Sequence, residues 1–115
     1  MSSPQQTPER IARYADFWPY YLREHRNATA RRLHVLGTGA ALLLLLAAVV
    51  LMNPWLLPAA VVAGYAFAWI GHALFERNKP ATFRYPLWSL ASDVRMFFLA
   101  VSGRLDEEYR RLQIR

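Results

Sequence analysis

Polar and apolar positions divide this chain into three phases. From Leu33 to Phe75 there is no Asp, Glu, Lys or Arg, an uncharged run of forty-three residues. It contains five consecutive leucines, Leu42 to Leu46, and is interrupted only at Asn53-Pro54. About 20 apolar residues at 1.5 Å each cross a hydrocarbon core of roughly 30 Å. The run is therefore too long for one crossing and suits two, 30–52 and 55–75, joined by a tight turn. This predicts an all-α membrane protein built on a two-span helical hairpin. Gly37 and Gly39 in the first span, and Gly64, Ala68 and Gly71 in the second, offer small-residue faces for close helix packing.

The flanks are amphipathic. Residues 1–6 are polar and read as a disordered tail. Thr7-Pro8 is a helix start, a hydroxyl cap followed by Pro at the first helical position. Ile11, Tyr14, Ala15, Trp18 and Leu22 then recur at helical spacing, giving an amphipathic helix over 7–26, with Pro19 set to kink it or end its first half. Its aromatics suit a membrane interface or packing on the rest of the domain. Asn27 to Thr29 reads as a break and a new cap. Residues 76–85 read as a loop. A second amphipathic helix covers 86–105, with Leu87, Leu90, Val94, Phe97, Phe98, Val101 and Leu105 on its apolar stripe. Ser89, Ser92, Asp93 and Met96 lie towards another side. Asp93 and Arg95 make it costly as a span, so it belongs at the interface or against the hairpin. Residues 106–115 form a charged helical tail.

Charge fixes an orientation for this scheme. The chain is a single domain of 115 residues with a formal charge of +6. Arg23, Arg26, Arg31 and Arg32 precede the first span, Arg77, Lys79 and Arg84 follow the second, and the Asn53 turn carries no charge. The positive-inside rule puts both termini in the cytoplasm, at a bacterial inner membrane or an endoplasmic reticulum. Charges that bracket spans do not form a nucleic-acid-binding face, so no nucleic-acid partner is expected. With no cysteine there is no disulfide framework or thiolate chemistry. No cleavable signal is expected, and the sequon at Asn27 reads as chance. Two spans bury little surface, which makes a homodimer plausible.

The candidate chemistry lies in three histidines. His34 opens the first span, His72 nears the end of the second, and His25 is juxtamembrane. A hairpin brings all three to one membrane face. Glu76 follows His72 by four residues, and Asp93 stands on the polar side of the last helix. Imidazoles with carboxylates suit Fe(II), Zn or Mn. The residues alone leave other readings open: interfacial histidines in a non-catalytic hairpin that binds lipid or scaffolds partners, or a hydrolase-like zinc enzyme.

Three blocks carry a more specific signal. They are Tyr20-Tyr21-Leu22-Arg23-Glu24-His25-Arg26-Asn27 with Arg32-Leu33-His34-Val35-Leu36-Gly37-Thr38; Trp69-Ile70-Gly71-His72-Ala73-Leu74-Phe75-Glu76-Arg77-Asn78-Lys79-Pro80-Ala81-Thr82-Phe83; and Pro86-Leu87-Trp88-Ser89-Leu90 with Asp93. Over roughly residues 17 to 100 the chain resembles the small membrane-protein family of the yeast 2-hydroxy fatty acid dioxygenase. The resemblance implies an iron(II)-dependent enzyme that shortens a 2-hydroxy fatty acid by one carbon, with O2 as oxidant and loss of CO2. It carries the iron ligands onto His25, His34 and His72, and makes Asp93 and Glu76 the candidate catalytic carboxylates. On that reading the acyl tail lies among the spans. Arg26, Arg31, Arg32 or Arg77 then binds the substrate carboxylate, and Tyr20, Tyr21 and Trp69 line the entrance.

Overall fold

The computed structural model describes residues 10–77 and 84–114, and all regular structure among them is helical. The elements are α1 (Tyr14–Arg23), α2 (Ala28–Val50), α3 (Leu56–Ile70), which runs directly into a π-helical segment at Gly71–Glu76, α4 (Pro86–Val101) and α5 (Leu105–Arg111). Two helical stretches are long and apolar enough to cross a membrane: the 23 residues of α2, and the 21 of Leu56–Glu76.

Local chemistry sets the boundaries. Asn27 caps α2, its side-chain oxygen accepting from the Ala30 N–H at 3.0 Å. That is the break and cap expected from the sequence. At the other end Met52 turns left-handed (φ 52°). The Asn53 side chain then accepts from the Trp55 N–H at 3.1 Å, closing the turn into α3. Pro86 starts α4 at its first turn, where a missing N–H costs nothing. Gly103, at φ 75°, ends that helical run and separates α5 from it. The helix expected over 86–105 therefore ends at Val101, and Leu105 opens α5.

Small residues bring α2 and α3 together. A Cβ added to Gly37 would stand 2.7 Å from Phe67 Cβ, and one on Gly71 would stand 3.1 Å from the Ala30 carbonyl oxygen. Gly39 has a different use: a Cβ there would meet the Phe97 ring of α4 at 2.8 Å.

The hydrophobic core lies elsewhere, among α1, α4 and α5. Phe17, Trp18, Tyr21 and Leu22 meet Tyr85, Met96, Leu105 and Tyr109 there. The amphipathic α1 is thus a packed helix. It is shorter than the expected 7–26, because residues 10–13 are not helical and Arg13 is extended. The Ile11 N–H of that segment donates to the Tyr85 hydroxyl at 2.9 Å. The expected cap at Thr7-Pro8 and tail at 1–6 lie outside the described residues, as does most of the expected loop, at 78–83. Pro19 does not end α1, which runs through it to Arg23. A single i→i−4 bond is lost there, while Phe17, Trp18, Tyr21 and Leu22 on both sides are held by burial.

The faces of α4 are reversed from those of a helix in water. Ser89, Ser92 and Met96 are buried, while Leu87, Leu90, Phe98 and Val101 are exposed. The charged end is helical, as expected, and it also packs inward. Leu105 and Tyr109 of α5 are buried in the core, and Trp18 Nε1 donates to Glu108 at 2.7 Å.

Candidate metal centre

Three elements deliver one imidazole each. His25 lies in the α1–α2 connection, His34 in the second turn of α2, and His72 in the π-helical segment. All three are buried, and each offers a ring nitrogen within 4.8 Å of those of the others. The His25 ring is 4.7 Å from that of His34 and 4.5 Å from that of His72, centroid to centroid. The expected convergence of the three histidines is present.

Hydrogen bonds assign the protons. His25 Nδ1 lies 2.7 Å from the Tyr21 carbonyl oxygen, which can only accept. Nδ1 therefore carries the hydrogen and Nε2 the lone pair. His34 Nε2 lies 2.6 Å from Asp93 Oδ1, so the carboxylate fixes the proton on Nε2 and leaves the lone pair on Nδ1. Both lone-pair atoms, His25 Nε2 and His34 Nδ1, are buried without a hydrogen-bond partner. Buried polar atoms are normally paired, and an orphan calls for an explanation. A cation among the three rings would supply one. A ligating histidine characteristically donates its other N–H to a carboxylate or carbonyl, and these two do so. Burial first, and then His34 and His72 nearby, hold the His25 pKa well below its ordinary value. The ring is thus neutral, as ligation requires. The donor set fits a metal ion.

A shell of polar contacts holds this arrangement. The Tyr21 hydroxyl donates to Asp93 Oδ1 at 2.5 Å and lies 3.1 Å from His34 Nε2. Tyr21 is 1% exposed. It belongs to the buried heart of the site, not to the entrance where the sequence reading put it. Burial, reinforced by Asp93, raises its pKa well above that of a free phenol, so the proton stays on oxygen.

Glu76 and Arg31 also turn inward. The Glu76 carboxylate accepts from the Asn27 backbone N–H, tying the end of the π-helical segment to the start of α2. Arg31 Nη1 donates to the carbonyls of His25 (2.9 Å) and Arg26 (3.2 Å), and its guanidinium lies 4.6 Å from the Tyr109 ring centre. It holds the backbone that carries His25. Arg26, Arg32 and Arg77 are exposed, and Arg77 adopts a left-handed conformation (φ 57°) just after the π-helical segment.

The sequence reading missed Tyr109. Its hydroxyl donates to the carbonyls of Leu22 (2.9 Å) and His25 (3.1 Å), and burial raises its pKa to about 12. The available signal was a Leu105–Tyr109 pair at i,i+4 within the charged end, marking an apolar face there.

The three histidines come from one chain, so the expected homodimer draws no support from them. No match is found among curated proteins or among solved structures. A family model does match, over residues 11–105, and that stretch carries His25, His34, His72, Tyr21 and Asp93 together. By that match the chain belongs to the 2-hydroxy-palmitic acid dioxygenase Mpo1-like family.

Proposed function

We propose that this chain is an integral membrane, Fe(II)-dependent dioxygenase of 2-hydroxy fatty acids. The observation that carries the reading is the pair of buried ring nitrogens without a hydrogen-bond partner, His25 Nε2 and His34 Nδ1, within the cluster that the two rings form with His72. Family membership supplies the reaction class. A 2-hydroxy acid and one O2 balance against the acid one carbon shorter, CO2 and water, so no further reductant is consumed. Bound by the three imidazoles, ferrous iron would supply the one-electron chemistry that O2 requires, with positions left open for substrate.

The chain's own residues have separable roles in this reading. Asp93 orients His34 and fixes its tautomer. Tyr21 steadies Asp93 through its hydroxyl and His25 through its carbonyl. Arg31 and Glu76 fix the backbone that leads from His25 into the Asn27 cap. Of the four arginines expected to bind substrate, that leaves Arg26, Arg32 and Arg77, all exposed, to meet its carboxylate. In the bilayer, α2 and α3 form the hairpin, with the basic flanks and both termini in the cytoplasm. The exposed Leu87, Leu90, Phe98 and Val101 of α4 then face lipid.

Metal analysis of anaerobically purified protein tests the assignment. Stoichiometric iron, lost in His34→Ala and His72→Ala, is expected, with O2 uptake dependent on 2-hydroxypalmitate and an odd-chain fatty acid product. Protein that binds no iron under these conditions would refute it. Stoichiometric zinc without O2 uptake would point to a hydrolase.

A further inference from the structure

A second feature adjoins the metal centre without belonging to it. Between α2, α3 and α4 lies a half-open cavity of about 260 Å³, with Leu45, Val61 and Leu90 of its lining exposed along its open side. Thr38 and Asp93 are its polar wall residues besides Tyr65, and the rest of its lining is aliphatic or glycine. Asp93 is the same carboxylate that bonds His34 Nε2. Cavity and histidines therefore share a residue, with polar groups at the shared end.

The register gives the cavity a direction. Thr38 is one turn beyond His34 on α2, and Leu45 is about 16 Å beyond it at 1.5 Å per residue. On α3, Gly64 and Ala60 lie about 12 and 18 Å back from His72 by the same rise. Both walls run from the imidazoles into the most apolar part of the molecule.

Gly64 distinguishes this cavity from ordinary helix packing. Side chains at Gly37 and Gly71 are excluded by neighbouring atoms at 2.7 and 3.1 Å. A Cβ at Gly64 would meet only the Ala41 Cβ, at 3.4 Å, an ordinary contact. Helix contact does not demand glycine at position 64. What the missing side chain leaves is room in the cavity, opposite Ala41.

We infer that this cavity is the acyl-chain channel of the enzyme, with Gly64 and Ala41 setting its bore. This rests on the dioxygenase reading. Its occupant is the unbranched alkyl chain of a 2-hydroxy fatty acid. The carboxyl and hydroxyl end lies by Asp93 and the histidines, and the chain runs along α2 towards Leu45.

Two measurements on the full chain in detergent test the channel. One is equilibrium binding of tritiated 2-hydroxypalmitate and 2-hydroxyoctanoate. The other is O2 uptake across a chain-length series. Gly64→Leu fills the bore from α3 and Ala41→Leu fills it from α2. Val62→Leu, on the exposed side of α3, is the control. Each filling variant is expected to retain metal yet weaken 2-hydroxypalmitate binding at least tenfold. 2-Hydroxyoctanoate should be affected much less, so that preference moves to shorter acids, and the control should keep the parent profile. Should Gly64→Leu fail to fold, Ala41→Leu carries the test from the opposite wall. Unchanged chain-length preference in a folded, metal-retaining filling variant would overturn the channel, as would a parent that binds neither acid. Binding that depends on Gly64 without O2 uptake would keep the channel and refute the oxidation. O2 uptake indifferent to Gly64 and Ala41 would do the reverse.

Discussion

His34 Nε2 and Asp93 Oδ1 stand 2.6 Å apart, linking α2 to α4 across fifty-nine positions of sequence. The bond determines which nitrogen of His34 is free. Asp93→Asn keeps the shape but can present an N–H where the carboxylate accepted, and so favours the wrong tautomer. Iron affinity is expected to fall by about 10- to 100-fold, the usual cost of losing such a partner. Competition with a calibrated chelator measures it, and Asp93→Glu should recover part of the loss.

Arg31 separates structural from substrate-binding arginines. Its guanidinium is held by the His25 and Arg26 carbonyls and lies over Tyr109. Arg31→Ala should lower iron occupancy and thermal stability, because the connection carrying His25 loses its anchor. Arg32→Ala, at an exposed site, should instead raise KM for the 2-hydroxy acid with iron retained. Steady-state O2 uptake with parallel metal analysis distinguishes the two patterns.

Glu108 gives the fold an acid-sensitive latch. Its bond to Arg111, then that to Trp18, hold its carboxyl below the ordinary value of 4.5 against the opposing effect of burial. A depressed folded-state pKa means that the unfolded chain binds the proton more readily. The contribution is therefore present above pH 4.5 and is lost as pH falls through the lower folded value. Trp18 fluorescence should report loosening of α5 from α1 in that acid window. Glu108→Gln should flatten the dependence.

Gly37 tests the close approach of α2 and α3. With Phe67 Cβ at 2.7 Å and two backbone oxygens at 3.1 and 3.2 Å from an added Cβ, Gly37→Ala has no flexible neighbour to displace. It should destabilise the protein by about 1–3 kcal/mol, the usual cost of overpacking. Thermal unfolding in detergent measures it.

The sequence exposes some of this directly and hides the rest for physical reasons. The charge-free run announces α2 and α3, because nothing but length and apolarity is needed to recognise such helices. The three histidines could be grouped in advance because the break at Asn53-Pro54 returns the second helix to the level of the first. Side-chain partners were not legible. That Glu76 ties down a backbone amide and Arg31 holds carbonyls depends on loop paths that periodicity does not encode. The resemblance suggests an entrance role for Tyr21, whereas its hydroxyl is satisfied deep inside by Asp93. The π-helical segment was invisible too. Gly71–Glu76 has an ordinary helical composition, and the looser turn around His72 shows only in three dimensions.

Tyr21 grips two imidazoles at once, one through its backbone carbonyl and one through the Asp93 carboxylate. The docking of α1 and the affinity for an ion are then one linked equilibrium. Whatever free energy the ion gains from well-oriented rings is returned to α1 as resistance to undocking, growing with the logarithm of free metal concentration. Without the ion, α1 is still held by its packing against Tyr85, Met96, Leu105 and Tyr109, but less firmly.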